Sequence, residues 1–327
     1  MKVVIPGGSG QVGTVLARAF LAQGHEVVVL SRDPRPAPWR TVGWDGLTLG
    51  PWADEIEGAE VVINLAGRSV NCRYTPENKR QMIDSRVLSA RVVGEAIARA
   101  SRRPRVWLQA STATIYRHTY GAPNDEATGI LGGNEPDVPK SWRFSIEIAT
   151  AWEQAASEAV LPHTRQVLMR SAIVLSPDRG GAFDLLLRLV RWGLGGRSGD
   201  GRQLVSWIHD LDFVRTVFWL IEHEELEGVV NLAAPEPLPN EEFMRTLRRA
   251  WGARFGLPAS DWMLAAGAAV LGTETELVLK SRRVVSQRLE ESGFAWTFPR
   301  WEDAAQDLCR RWRVARSKGA NDAATAL

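Results

Sequence analysis

The sequence predicts an α/β fold in which a doubly wound parallel sheet is joined to a smaller C-terminal lobe. Through residue 175, short apolar runs alternate with amphipathic segments of helical periodicity. The runs show no polar–apolar alternation, as expected for parallel strands that are covered on both faces. A glycine-rich segment, IPGGSGQVG at 5–13, lies directly between the first run and the first amphipathic segment. This combination is typical of a Rossmann-type fold.

The individual elements follow from local patterns along the chain. The first strand, KVVI, ends in glycines, and the next segment has apolar residues spaced three and four apart, as in a helix. Asp212 and Asn240 are typical capping residues at the start of two later helices. The predicted strands are 2–5, 25–32, 59–67, 105–111, 165–175 and 228–234. The predicted helices are 10–24, 76–100, 144–159, 212–223 and 240–251.

Composition excludes several classes of function. The 327 residues carry a net charge of only +2, with both signs interspersed, which argues against a nucleic-acid or membrane-surface partner. The longest apolar stretch, 263–272, is too short to span a bilayer. Cys72 and Cys309 lie far apart and have no metal-ligand spacing, so we expect no metal site. Free cysteines and an N-terminus without an apolar signal segment predict a cytoplasmic protein.

The glycine-rich segment predicts a pyrophosphate site. Gly7, Gly10 and Gly13 form a G-x-x-G-x-x-G pattern between a strand and a helix. Glycine permits a tight turn and a close approach of the backbone to a ligand, and a helix N-terminus stabilises phosphate charge. The alternative, glycines that serve only strand–helix packing, stays open.

The end of the second predicted strand favours NADP over NAD. An NAD site usually has an acidic side chain there, which binds the ribose 2′-hydroxyl. This chain has Ser31 and Arg32, which are suited to a 2′-phosphate, and Asp33 follows one residue late. Arg32 as an ordinary surface arginine is the alternative.

Several motifs together resemble one protein family. They are the glycine loop, NLAG at 64–67, STATIY at 111–116 and WIHDLD at 207–212. A Ser85-Arg86 pair, a Trp152-Glu153 pair and ESGFAWTFP at 291–299 add to them. The chain resembles the extended short-chain dehydrogenase/reductases, and within them the atypical, epimerase-like (NAD-dependent epimerase/dehydratase) branch, over about residues 1–312.

The resemblance implies NADP(H) as cofactor and a set of residues that bind it. The implied cofactor-binding residues are Gly7, Gly10, Gln11, Val12, Gly13, Ser31, Arg32, Leu65, Ala66, Gln81, Arg86 and Leu175. Among them, Gln81 and Arg86 would reach the cofactor from the helix after NLAG, and Leu175 would meet its nicotinamide end. From the residues alone, an ion pair of Arg86 with Asp84 or Glu95 is the alternative.

The catalytic pair of active family members is missing. In those members a tyrosine exchanges the proton of the substrate oxygen, and a lysine four residues later lowers the pKa of that tyrosine. Counting back from Glu153, the two positions fall on Ser145 and Ala149. No Tyr-x-x-x-Lys sequence occurs anywhere in the chain.

Thr112 and Tyr116 remain as catalytic candidates. By resemblance, Thr112 matches the hydroxyl residue that binds the reacting oxygen, and the alternative is a threonine that caps a turn. Tyr116 follows at the carboxyl end of a strand, where ligands bind in such folds. The alternative for Tyr116 is a packing residue with a hydrogen-bonded hydroxyl.

Two functions remain in competition. The first is an NADP(H)-dependent oxidoreductase that acts on a small carbonyl or alcohol substrate, and the second is a non-catalytic NADP(H)-binding regulatory or interaction protein. A homodimer through helices 76–100 and 141–159 is a further expectation. The expected organisation is an NADP-binding domain at 1–175 completed by about 205–234, a smaller lobe at 176–204 and 235–312, and a tail at 313–327.

Overall fold

The computed structural model describes residues 1–136, 138–139, 142–260, 263–264 and 275–325. The apolar stretch 263–272 therefore lies almost entirely outside the described residues. Ser141, the first residue of the segment 141–159 expected at a homodimer interface, also lies outside them.

Within the described residues, the main sheet has seven strands, all parallel. They are β1 (Lys2–Pro6), β2 (Glu26–Ser31), β3 (Arg40–Gly43), β4 (Val61–Asn64), β5 (Val106–Thr112), β6 (Arg165–Ser171) and β10 (Gly228–Leu232). The short strands β7 (Ile173–Leu175), β8 (Leu204–Val205), β9 (Trp207–His209) and β11 (Leu238–Pro239) form two further pairs, β7 with β9 and β8 with β11.

The helices are α1 (Gln11–Ala22), α2 (Pro76–Arg99), α3 (Arg143–Ser157), α4 (Ala182–Arg191), α5 (Asp210–Glu222), α6 (Asn240–Trp251), α7 (Glu276–Leu279), α8 (Gln287–Glu291) and α9 (Trp301–Thr325). Single 3-10 turns lie at Pro51–Glu55 and Ala113–Ile115. No helix in the described part of the chain is both long and apolar enough to cross a membrane.

The strand order is β10-β6-β5-β4-β1-β2-β3, so the direction of winding reverses between β1 and β4. Helices α1 and α5 cover one face of the sheet, and α2 and α3 cover the other. A third apolar cluster joins α4, α6 and α9 to β7 and β9 and forms the core of the smaller lobe. Ligands of such sheets bind at the carboxyl ends of the strands beside the reversal. The predicted α/β class with a parallel sheet and an added lobe is confirmed.

Two strands differ from the sequence-based expectation. The predicted strand 165–175 is two strands. The pairing with β10 ends with the bond of the Ala172 amide to the Leu232 carbonyl (2.9 Å), and residues 173–175 then pair with β9 outside the main sheet. Strand β3 was missed because its four residues are only partly buried and follow the proline-rich DPRPAPW, so they lack the apolar run that marks the other strands.

The start of α5 also differs. His209, not Asp212, caps this helix, since His209 Nδ1 accepts the Leu211 amide at 3.1 Å. Asp212 is buried inside the first turn and accepts the amides of Thr297 (2.8 Å) and Phe298 (2.7 Å). Asp212 thereby attaches the C-terminal segment to the main domain.

Candidate functional site

A cleft opens at the carboxyl ends of β1, β2 and β4, beside the reversal of strand order. Its volume is about 470 Å³. Its lining residues are Gly7, Ser9, Gly10, Ser31, Arg32, Trp44, Asp45, Gly46, Leu47, Ala66, Gly67, Arg68, Gln81, Asp84, Ser85, Leu88 and Ser89. Of the residues implied by the family resemblance, Gly7, Gly10, Ser31, Arg32, Ala66 and Gln81 line this cleft.

The glycine loop brings three backbone segments into contact. Gly7 has φ +73°, and a Cβ placed on it would lie 2.5 Å from the Ala66 Cα. A Cβ on Gly13 would lie 2.4 Å from both the Cα and the carbonyl oxygen of Gly8. Only glycine fits at these two positions, so the loop lies directly against the chain that leaves β4.

The N-terminus of α1 adjoins the cleft, since its N-cap residue lines the cleft wall. The N-cap is Gly10, which provides no side-chain cap for the first amides of the helix. The Gln11 Nε2 atom is also buried and has no hydrogen-bond partner among the described residues. Val12 is partly buried and packs on the core beneath the loop. Uncapped amides at a helix N-terminus form a binding site for an anion.

The end of β2 presents a hydroxyl and a cation. The Ser31 hydroxyl donates to Ser9 Oγ in the glycine loop (3.1 Å), so the two loops are joined at the floor of the cleft. Arg32 is exposed and lines the cleft. Asp33 is turned away, because its carboxylate accepts from Arg35 Nε at 2.8 Å. The acidic residue next to Arg32 is therefore paired outside the cleft.

Sequence reasoning missed the loop after β3, which closes one side of the cleft. Its residues Trp44, Asp45, Gly46 and Leu47 all line the cleft. The Asp45 carboxylate accepts from the Thr48 hydroxyl (2.5 Å) and from the amides of Thr48 (2.9 Å) and Leu47 (2.8 Å). These bonds, the one from the Thr48 hydroxyl first, hold the turn and lower the pKa of Asp45. The Asp-Gly pair after a short strand was the available signal.

NLAG shapes the exit from β4. The Asn64 side chain accepts the Ala66 amide (3.1 Å) and donates to the Gln109 side chain (2.9 Å) on β5. These bonds fix the turn that holds Ala66 and Gly67 against the glycine loop. Leu65 is partly buried and packs on the core, and it does not line the cleft.

The helix α2 forms the opposite wall. Gln81 lines the cleft and donates to Glu77. The Arg68 amide donates to Ser85 Oγ at 2.9 Å, which attaches the loop after β4 to α2. Arg68 itself lines the cleft and is a second cation there.

Arg86 lies behind this wall. Its guanidinium is 9% exposed, lies 5.0 Å from the Trp152 ring and would meet a Cβ on Gly67 at 3.1 Å. Burial lowers the pKa of Arg86 to about 10. Among the described residues it forms no salt bridge, and Glu95, one of the expected partners, pairs with Arg99. The alternative of a surface ion pair for Arg86 is therefore not supported.

Leu175 does not line the cleft. Its side chain is fully buried in the apolar core of the smaller lobe. Because β7 leaves the main sheet, the Leu175 side chain packs toward α4 and not toward the cleft. The implied contact of this side chain with the nicotinamide end is not supported.

Thr112 ends β5 and is partly buried. Its Oγ1 accepts the Thr114 amide at 3.2 Å and caps the 3-10 turn that follows. In this cap the Thr112 oxygen only accepts a hydrogen bond. The proton of the Thr112 hydroxyl can therefore still be donated to a reacting oxygen.

Tyr116 is placed where a proton donor would be ineffective. Its side chain is 2% exposed, and its hydroxyl donates to Asn231 Oδ1 (2.9 Å) and accepts from Arg170 Nη1 (3.0 Å). Burial raises the pKa of Tyr116, and the charge of Arg170 only partly opposes this. The expected catalytic role of Tyr116 is therefore not supported, since its hydroxyl is buried and has both a donor and an acceptor as partners.

Comparison with known proteins agrees with this architecture. The model of the NAD dependent epimerase/dehydratase family matches residues 3–233, and a domain of unknown function, DUF1731, matches residues 261–308. The human epimerase family protein SDR39U1 is 32% identical over 314 residues, which cover 94% of this chain and 99% of that protein. An epimerase family protein of Staphylococcus epidermidis is 30% identical, again over 94% of this chain and 99% of the relative.

Solved structures agree as well. The crystal structure of human SDR39U1 with NADPH matches with a TM-score of 0.81 and 29% identity, over 95% of this chain and 99% of that one. The UDP-N-acetylglucosamine 4-epimerase from Bacillus cereus shares the fold, with a TM-score of 0.72 and 15% identity over 96% of each chain. This chain belongs to the NAD dependent epimerase/dehydratase family.

Proposed function

We propose that this protein is an NADP(H)-dependent oxidoreductase that acts on a small carbonyl or alcohol. The observation that carries the proposal is the cleft, in which uncapped helix amides, two arginines and a closely packed glycine loop meet at the reversal of strand order. The human relative solved with NADPH supports the same cofactor.

The cleft fits a dinucleotide on its own geometry. The loop at Gly7–Gly13 and the first turn of α1 would hold the pyrophosphate, and Ala66 would lie along a ribose. When bound, the cofactor supplies a hydride acceptor or donor. The protein would orient the substrate, exclude water and exchange the proton of the substrate oxygen, with the hydroxyl of Thr112 as one contact.

The preference for NADP rests on the charges around Ser31. Arg32 and Arg68 line the cleft, whereas Asp33 is paired outside it and the Asp45 carboxylate is occupied by its own turn. A 2′-phosphate would therefore meet cations, and a ribose 2′-hydroxyl would find no free carboxylate at the end of β2.

Replacing Arg32 with alanine is expected to weaken NADPH binding at least tenfold and to leave NADH binding within about twofold, because only NADPH carries the 2′-phosphate. Calorimetric titration with each cofactor measures both values. Arg102→Ala is the control, since Arg102 is an exposed arginine that pairs with Glu57 and does not line the cleft. Equal losses for NADPH and NADH, or equal losses in the two variants, would contradict the proposed role of Arg32.

A non-catalytic NADP(H)-binding protein is the second candidate. It is favoured by the burial of Tyr116 and by Ser145 and Ala149 at the positions of the usual pair. Hydride transfer from NADPH to a panel of aliphatic and aromatic aldehydes and ketones distinguishes the two. Tight NADPH binding without transfer to any member of the panel would favour the second candidate. A cytoplasmic location, a homodimer and the domain boundaries stay predictions.

A further inference from the structure

The position expected for the family tyrosine is occupied by a serine with an unusual partner. Ser145 lies in the first turn of α3 and is partly buried. Its Oγ bonds to the Glu276 carboxylate, with the Trp142 carbonyl (3.1 Å) as the other acceptor in reach. Glu276 comes from α7, more than a hundred residues later and inside the segment that matches DUF1731.

Glu276 belongs to a buried ionisable pair. Glu276 and Lys280 are each 2% exposed, and Lys280 Nζ lies 3.6 Å from Glu276 Oε1. The second carboxylate oxygen, Oε2, is buried and has no hydrogen-bond partner among the described residues. Burying a carboxylate with one oxygen unsatisfied costs free energy. Such an oxygen can accept a proton from a ligand or a hydroxyl, and can return it once the carboxyl group is protonated.

The pair is attached to the carboxyl end of the sheet. Lys280 Nζ donates to the Thr114 carbonyl (2.9 Å), and Arg282 Nε donates to Thr114 Oγ1 (3.2 Å). Thr114 lies in the turn that Thr112 caps, directly after β5. The pair therefore lies beside the carboxyl end of β5, which neighbours β4 in the sheet.

We propose that Ser145, Glu276 and Lys280 form a proton-exchanging network at the reactive end of the site, in place of the missing tyrosine and lysine. This inference rests on the function proposed above. Ser145 is the catalytic residue that contacts the substrate oxygen, and Glu276 stores the proton. Lys280 is a positioning residue, which sets the charge of Glu276.

The proton balance is complete in both directions. In alcohol oxidation, the substrate hydroxyl gives its proton to Ser145 Oγ while the Ser145 hydroxyl gives its own to the Glu276 carboxylate. The electron pair of the broken O–H bond forms the second C–O bond, and the carbinol hydrogen leaves as hydride to the oxidised nicotinamide dinucleotide. In carbonyl reduction each transfer runs in reverse, and solvent reprotonates Glu276.

The charges around the network suit this exchange. Burial lowers the pKa of Lys280 to about 8, and the nearby Arg282 adds to this, while Glu276 and Glu135 oppose it. Burial raises the pKa of Glu276, against the hydrogen bond of Ser145 and the cations Lys280 and Arg282. Both groups therefore ionise closer to neutral pH than an exposed lysine and glutamate do.

The test follows Lys280 directly and needs no substrate. The protein is labelled biosynthetically with ¹³C at lysine Cε and observed by NMR. Because the chain has only five lysines, the spectrum contains few signals. The signal that is absent from the Lys280→Arg variant is that of Lys280. We expect the Lys280 signal to titrate near pH 8 and to shift when NADPH saturates the protein. The signal of Lys2, which lies at the amino end of β1 and so at the opposite end of the strands from the cleft, should not shift. A Lys280 signal that does not move on NADPH saturation would overturn the inference.

Substitution of Glu276 adds a second readout. In Glu276→Gln, the titration midpoint of Lys280 is expected to fall, because the carboxylate that raises it is gone, while the NADPH dissociation constant stays within about twofold. The exposed Glu290→Gln is the control and should change neither value. An unchanged Lys280 midpoint in folded Glu276→Gln overturns the network. If Glu276→Gln does not fold, the change of the wild-type Lys280 NMR signal on NADPH saturation still tests the inference.

Turnover tests Ser145. With a carbonyl compound reduced by the wild type, Ser145→Ala is expected to lower kcat by roughly 10²–10⁴-fold with KM little changed. An unchanged kcat would overturn the role of Ser145. Failure of the proposed function is seen separately. The wild type would then bind neither NADPH nor NADH, or it would bind NADPH without hydride transfer to any carbonyl compound of the panel, and the inference would fall with it. Failure of the network alone leaves both binding and transfer by the wild type intact.

Discussion

Replacing Glu153 with alanine is expected to lower the free energy of unfolding by about 3–5 kcal/mol, because the change leaves a buried arginine without its anion. Glu153 accepts two bonds from Arg170, at 2.8 Å and 2.7 Å, and a third from the Ser111 hydroxyl. The two charged side chains are only 11% and 10% exposed. Burial alone would lower the pKa of Arg170, but Glu153 keeps this pKa above its ordinary value.

The same network holds Tyr116, so its loss would loosen the turn after β5. Urea denaturation measures the change in free energy. Glu158→Ala is the matched control, since Glu158 directly follows α3 and forms a bidentate pair with Arg91, but there both side chains are about half exposed. An exposed pair contributes about 0–1 kcal/mol. Equal effects of the two substitutions would refute the structural role of the buried pair.

Replacing Gly7 with alanine is expected to abolish NADPH binding, with a loss of at least about a hundredfold, and to destabilise the protein by more than ~2 kcal/mol. The new Cβ would lie 2.5 Å from the Ala66 Cα and 2.6 Å from its nitrogen, both backbone atoms. Either the glycine loop or the chain leaving β4 must then move, and both form the cleft.

Gly24→Ala separates this effect from backbone strain. Gly24 has nearly the same φ, +76°, but a Cβ there would meet no atom within 4 Å. We therefore expect a loss of about 1–2 kcal/mol in stability and unchanged NADPH affinity. Thermal or urea unfolding and calorimetry with NADPH measure both properties. If Gly7→Ala binds NADPH like Gly24→Ala, the close approach to Ala66 does not determine cofactor binding.

The main domain was predictable because its signals are local. Continuous apolar runs mark strands that are buried on both faces, and glycines between a strand and a helix mark the loop at the cleft. The same signals fail at a partly exposed edge strand such as β3. They also fail after Ala172, where the pairing of β6 with β10 ends and the chain pairs with β9, a strand that is distant in sequence.

The cofactor side of the site was predictable for the same reason. Gly7, Gly10, Ser31, Arg32 and Ala66 lie at the ends of strands or within four residues of them, so chain order alone brings them to one edge of the sheet. The loop at 44–47 was missed because its strand was missed. Leu175 was assigned by resemblance, and the fold turns its side chain into the core of the smaller lobe.

The sequence by itself determined the fold class, the family and the absence of a Tyr-x-x-x-Lys pair, because each of these can be recognised from short segments of the chain. Only the tertiary structure decided how deeply the ionisable groups are buried and which charged partners they have. It buried Tyr116 between Arg170 and Asn231 and brought Glu276 and Lys280 to Ser145 across more than a hundred residues. Burial and charge partners set whether a group can exchange a proton, and both depend on contacts between segments distant in the chain.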